Sequence, residues 1–232
     1  MEKISILTPT RSRPKEVIRF IKSVYDTTEI KDNVEIQFYV DSNDPCIIDY
    51  MNINDYPGFV KFLFAKPQSI SKSWNQIAKI SEGDILIMGN DDLVYKTPGW
   101  DNILREKLTL YSDNIYVAWF NDMYNGEKHC AFPIISRKMF DILGYFTPGI
   151  FEFLCNDTWM FDIGKRINRT LYISEVITEH LHFALGKSSY DETYKRHRVS
   201  GATKRDLELF NNTADKRAID AQKLLDYTDR LS

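Results

Sequence analysis

The sequence has little cysteine and no long apolar run. Only three of its 232 residues are Cys. Cys46, Cys130 and Cys155 form no C-x-x-C pair, which argues against a disulfide framework or a structural zinc site and suits free thiols in a reducing compartment. No apolar stretch approaches the roughly 20 residues that span a bilayer, and Met1-Glu2-Lys3-Ile4 opens no signal-peptide core, so cytoplasmic residence is expected. An excess of one charge is also missing. With 30 Lys and Arg against 33 Asp and Glu, the net charge of -3 excludes a wholly basic nucleic-acid sheath but leaves room for a local basic patch. There are no repeats, low-complexity tracts or clear linkers. Hydrophobic residues at 43% and charged residues at 27% describe an ordinary folded chain of a length that suits one α/β domain.

Apolar patterning then sets the order of elements. Ile4 to Leu7 reads as a strand running into the loop Thr8-Pro9-Thr10-Arg11-Ser12-Arg13-Pro14, and Val17, Ile18, Phe20, Ile21 and Val24 follow at helical spacing. Pro14 suits the first helical turn. Strands over 34–40 and 59–65 end in polar loops, the first of them carrying Asp41. Ser69 or Ser71 caps a helix bearing Trp74, which closes at Glu82-Gly83 before a strand over 84–88. Strand and helix alternation predicts an α/β fold with a mixed, mostly parallel sheet flanked by helices and ligands beyond the strands' carboxyl ends. The second half is less regular. It reads as helices near 100–110, 137–143 and 157–167, strands over 115–120 and 171–173, an extended segment over 176–182, and charged helices from Asp191 onward.

Gly89-Asn90-Asp91-Asp92 lies at the end of the buried fourth strand, where polar side chains emerge into a loop. Oxygen ligands on a rigid strand end suit Mg²⁺ or Mn²⁺. An Asp-rich turn capping the next helix explains the same residues without a ligand.

Taken in order, the Thr-Pro-Thr-Arg segment, Asp41 and the Ile-Leu-Ile-Met-Gly-Asn-Asp-Asp run resemble glycosyltransferase family 2, which has the GT-A (Rossmann-like) fold. Leu143-Gly144-Tyr145-Phe146, Asn156-Asp157, Arg166 and Glu179-His180-Leu181-His182 extend the resemblance, which spans about residues 4 to 185. It implies a GT-A domain over 1–185 with a basic, helical C-terminal extension over 186–232. The activity it implies is metal-dependent sugar transfer, with inversion, from a UDP-linked donor to an acceptor hydroxyl on a glycan, lipid, protein or modified DNA base. Asp92 would bind Mn²⁺ or Mg²⁺ together with His180 or His182. Asp91 and Asn90 would contact the donor, Asn occupying the first position of the family's Asp-x-Asp motif. Thr8, Pro9, Thr10, Arg11 and Asp41 would hold the nucleotide, and Asp157 would be the general base. On the extended segment His180 and His182 are read as pointing to opposite faces, so that one of them is the ligand.

Asn75, on the helix before the acidic strand, faces either the donor or solvent. Lys187, Lys195, Arg196, Arg198, Lys204 and Arg205, with Tyr190 and Tyr194 between them, form a basic segment. It is either a solvated face or a phosphate-attracting one, with Lys187 reaching the donor. Trp100, Trp119, Phe120, Tyr124, Phe151, Phe153 and Trp159 offer rings for an acceptor wall or for the core. Two other functions remain open: nucleotidyl transfer on a similar sheet, and a catalytically degenerate sugar- or nucleic-acid-binding module, which Asn in place of an acid at positions 90 and 156 would suit.

Overall fold

Period-2 patterning in the central strands divides the molecule into two cores. In β1 (Ile4–Thr10), Ile4 and Ile6 join one apolar cluster and Leu7 the other; in β4 (Ile85–Met88), Ile85 and Ile87 oppose Leu86 and Met88 in the same way. Both faces of these strands are therefore buried, which is why they read as continuous apolar runs. A computed structural model of the chain describes residues 1–187 and 201–231.

The sheet is completed by β2 (Val34–Asp41), β3 (Val60–Ala65), β5 (Leu93–Tyr95), β6 (Val117–Asn121), β7 (Ile134–Ser136) and β8 (Thr170–His180), in the order β3-β2-β1-β4-β7-β6-β8-β5. Pairing is parallel from β3 through β4 and between β6 and β8, and antiparallel at β4–β7, β6–β7 and β5–β8. It is the mixed α/β sheet that the sequence implies.

Helix α1 (Pro14–Thr27) lays Val17, Phe20, Ile21 and Val24 on the first core, with α4 (Trp100–Leu108) beside it. Against the second core pack α3 (Ile70–Ile80), α5 (Arg137–Leu143) and α6 (Asn156–Arg166). A short α2 (Ile47–Met51) follows β2. Next come α7 (Ala202–Asn211), which packs Leu209 and Phe210 against the same core, and α8 (Ala214–Asp229), which buries Ala221 and Leu224 in it. Asp206 of α7 accepts the backbone N–H groups of Glu152, Phe153 and Leu154 at 3.0, 2.7 and 2.8 Å, fixing the segment that leads into α6. No helix among the described residues is long and apolar enough to cross a membrane.

Three differences from the sequence reading bear on the site. First, β1 runs on to Thr10 rather than stopping at Leu7. Pro9 is tolerated because pairing with β4 ends at Leu7, leaving the rest of the strand bonded on the β2 side alone. Second, the acidic run caps no helix but turns directly into β5, Asn90 O accepting Leu93 N at 3.2 Å. Third, the two segments expected over 171–182 form one strand, β8. A bulge moves its register from Phe120↔Ile173 to Asn121↔Ile177, and its final residues pair with β5.

Candidate active site

Gly89 brings the acidic turn against β1. A Cβ at this position would stand 2.2 Å from Thr8 Oγ1 and 2.8 Å from the Ile6 side chain, so only glycine allows so close an approach. Beyond it the two acids part. Asp91 is buried, accepts Thr10 Oγ1 at 2.6 Å and pairs with Arg13 Nη1 at 2.8 Å. Arg13 is thereby held inward by this carboxylate. Asn90 accepts the Asp91 N–H at 3.0 Å with its own side chain, shaping the turn.

Asp92 faces the other way, toward the end of β8. The antiparallel register sets Leu93 opposite His180, and Leu181 N donates to Asp92 O at 2.9 Å. Two residues 88 positions apart thereby meet, Asp92 Oδ2 lying 3.4 Å from His180 Nε2. His182 joins them, its ring centroid 5.0 Å from that of His180. The expectation of opposite faces was wrong: on an extended chain residues two apart share a face, and here both imidazoles line one cavity. Tyr124 stacks on His182 at 5.4 Å and Phe132 meets His180 edge-on at 5.1 Å. Burial, with His180 adding to it, lowers the His182 pKa, which favours a neutral ligand-competent imidazole at neutral pH.

A divalent ion fits this donor set in part. The nitrogen that faces Asp92 is His180 Nε2, and a carboxylate beside imidazoles is ligand chemistry for Mn²⁺. Adjacent ligands of an octahedral ion at about 2.1 Å stand about 3 Å apart, close to the Asp92–His180 spacing. Among the described residues no group of three or more His, Cys, Asp or Glu side chains closes on one point.

Asp157 occupies the first turn of α6. Its Oδ2 lies 2.8 Å from His129 Nε2, and Thr158 Oγ1 donates to its Oδ1 at 3.3 Å. The preceding Asn156 turns inward, its Nδ2 on the carbonyls of Phe153 and Leu154 at 3.2 and 3.4 Å. The hydrogen bond to Asp157, opposed by partial burial, raises the His129 pKa above its ordinary value. Sequence reading missed His129. It sits in an aperiodic stretch after a 3-10 turn (Gly126–Lys128), and no spacing ties it to an acid 28 residues on.

His129, Asp157, His180, His182 and Asn90 all line one cavity of about 620 Å³. Of the seven rings proposed for an acceptor wall, Tyr124 and Phe153 reach this cavity. Trp100, Trp119, Phe120, Phe151 and Trp159 are buried in the cores instead. Trp74, not foreseen as a wall residue, lines the cavity while its Nε1 donates to Leu7 O at 3.0 Å.

The remaining candidates sit nearer β1 and β2 or outside the cavity. Arg11 Nη1 bridges Asp41 and Asn43, at 2.7 Å to each, and Thr8 Oγ1 is buried with no hydrogen-bond partner. Asn75 is half-buried on α3. Its Oδ1 accepts the N–H groups of Phe146 and Thr147 and its Nδ2 donates to Thr147 O, all within 3.0 Å, so it fixes the loop after α5. Lys187 pairs with Glu179, which also holds Lys96. Of the basic segment, Lys195, Arg196 and Arg198, with Tyr190 and Tyr194, lie outside the described residues, while Lys204 is solvated beside Glu208.

No protein-family model matches the sequence, and no curated protein sequence matches it significantly. Its fold, however, is shared with solved structures. The mannosyltransferase PcManGT from Pyrobaculum calidifontis, in complex with GDP-Man and Mn²⁺, superposes with a TM-score of 0.61 at 11% identity over 77% of this chain and 56% of that one. S. aureus TarS 1-349 in complex with UDP-GlcNAc gives a TM-score of 0.57 at 14% identity over 76% and 57%. The longer S. aureus TarS gives 0.59 at 15% identity and covers 98% of this chain but 43% of its own. This chain thus spans under two thirds of the length of these neighbours, and at such identities the likeness is one of fold. The chain has the GT-A type of fold that these glycosyltransferases share.

Proposed function

We propose that this chain transfers a sugar from a nucleoside-diphosphate sugar, with a UDP-linked donor as the first choice, to an acceptor hydroxyl. One observation carries the reading. His180, which meets the Asp92 carboxylate at 3.4 Å, and the acid Asp157 line one cavity, on a fold whose solved neighbours include complexes with UDP-GlcNAc and with GDP-Man and Mn²⁺.

Asp92 with His180 and His182 would hold a divalent ion. Bound there, the ion would supply charge stabilisation to the leaving diphosphate. Thr8, Thr10, Arg11 and Asp41, at the carboxyl ends of β1 and β2, form the nucleotide side, where a GT-A sheet exposes its strand ends. Asp91 belongs to the same side but acts by holding Thr10 and Arg13 in place. Asp157 supplies the negative charge that draws the proton from the acceptor hydroxyl as the oxygen attacks the anomeric carbon opposite the diphosphate, giving inversion. The rings of Trp74, Tyr124 and Phe153 offer faces on which sugar or base planes stack. The acceptor itself, whether glycan, lipid, protein or modified DNA base, is left to experiment.

The test uses UDP-GlcNAc and GDP-mannose, each with Mn²⁺, and follows nucleoside-diphosphate release with water and with a panel of glycans as acceptors. Release by the wild type and loss of release in Asp157→Asn with donor affinity kept is the expected outcome. Full release by Asp157→Asn would remove that residue from the reaction, and pyrophosphate release from nucleoside triphosphates would favour nucleotidyl transfer instead.

A further inference from the structure

The acid on the acceptor side does not stand alone. Asp157 Oδ2 is engaged by His129 Nε2 at 2.8 Å and its Oδ1 by Thr158 Oγ1 at 3.3 Å, so both oxygens already accept hydrogen bonds. A carboxylate so engaged is a poorer direct base than a free one. An ionised carboxylate only accepts, so His129 Nε2 must be the donor, and the neutral ring then carries its lone pair on Nδ1. Among the described residues that nitrogen makes no hydrogen bond. The ring lines the same cavity as His180 and His182, with 31% of its side chain exposed. Its orientation is set twice by one helix, because Phe161, one turn after Asp157 on α6, meets the His129 ring edge-on at 5.8 Å.

We infer that His129 is the group that takes the proton from the acceptor hydroxyl, and that Asp157 positions it and balances the charge it acquires. The inference rests on the sugar-transfer reading and refines it. As the acceptor O–H bond breaks, the proton passes to His129 Nδ1. The oxygen's electron pair forms the bond to the anomeric carbon, and the pair of the breaking C–O bond leaves with the diphosphate. The imidazolium is then paired with Asp157. The other charged groups facing His129 are Asp122, which favours the protonated ring, and Lys165 on α6, which opposes it. A purely structural role is a weak explanation, since a partly exposed ion pair adds little stability.

Two measurements test the inference. In the first, imidazole NMR of the full chain follows His129 through its titration, using His129→Gln for assignment. The expected result is a neutral ring protonated on Nε2, with a midpoint that falls in Asp157→Asn. A neutral ring protonated on Nδ1, or a midpoint unmoved by Asp157→Asn, would overturn the pair whether or not any sugar is transferred. In the second, release from the two nucleotide sugars of the functional test is measured against pH. His129→Gln should lose about 100-fold or more in turnover with donor affinity unchanged. The wild-type acid limb should lie above the ordinary imidazole value near 6.5 and move down in Asp157→Asn. An acid limb in the carboxylate range, or wild-type turnover in His129→Gln while Asp157→Asn is inactive, would return the base to Asp157 and leave sugar transfer intact. Failure to bind either nucleotide sugar would count against sugar transfer and leave the NMR result to decide the pair.

Discussion

Gly89→Ala should be costly, because the acidic turn is brought to the site by a backbone approach that admits no side chain. The added methyl would stand 2.2 Å from Thr8 Oγ1, 2.8 Å from Ile6 Cγ2 and 3.2 Å from Leu7 O. Relieving the first contact to an ordinary separation needs a movement of about 1 Å or more between β1 and the start of the turn. Those segments are joined by Gly89 N to Leu7 O at 2.8 Å, and Ile6 and Leu7 are fully buried, so little can yield. Overpacking of this kind costs about 2–3 kcal/mol. For a domain of this size that corresponds to a fall of roughly 4–12 °C in Tm. A second substitution separates steric strain from other causes. Thr8→Ala removes the worst contact and a buried hydroxyl without a hydrogen-bond partner, so alone it should be nearly neutral. In combination it should restore about half of the loss, the Ile6 contact remaining. Urea unfolding of the four proteins closes the double-mutant cycle. A stable Gly89→Ala, or a double variant with purely additive effects, would refute the packing argument.

Three further outcomes follow from the site. Asp92→Asn should lower nucleotide-sugar turnover about 100-fold or more, while apo stability changes by less than about 1 kcal/mol; thermal unfolding with and without Mn²⁺ separates the two effects. Asn75→Ala removes three hydrogen bonds to the 146–147 backbone and should cost about 2–3 kcal/mol in urea unfolding, whereas Lys187→Ala, which breaks an exposed ion pair, should cost well under 1. The His129 pKa is raised in the folded state, so its pairing with Asp157 adds stability that is fully present below pH about 6.5 and fades as pH rises through the folded value. Asp157→Asn should remove that part of the pH dependence, as urea midpoints measured between pH 5 and 9 would show.

Local pattern made the first half of the fold readable. Apolar runs end in polar turns at Asp41 and at Gly89-Asn90-Asp91-Asp92, and Pro14 begins α1 as its fixed φ favours. The strand β5 was hidden because three residues carry no period, and its partner lies in β8, more than 80 residues away. That ladder is also what joins Asp92 to His180, so the pairing could be implied by resemblance but not by spacing. His180 and His182 were misread through the period itself, since residues two apart on a strand share a face. His129 was invisible because its meaning comes entirely from a tertiary contact with Asp157. Asn75 shows the converse case: a polar residue near a site whose hydrogen bonds all serve the adjoining loop.

The central claim is that Asp92 and its histidines couple a divalent ion to a nucleotide-sugar diphosphate. Only ligands that bind the native state raise its apparent stability, by RT ln(1 + [L]/Kd). Thermal unfolding should therefore be measured with Mn²⁺ alone, UDP-GlcNAc alone, GDP-mannose alone, and each sugar nucleotide with Mn²⁺. Sugar transfer predicts a rise in Tm with one nucleotide and Mn²⁺ together that exceeds the sum of the separate rises and is absent in Asp92→Asn. No metal-linked rise with either nucleotide, or an equal rise in Asp92→Asn, would contradict it.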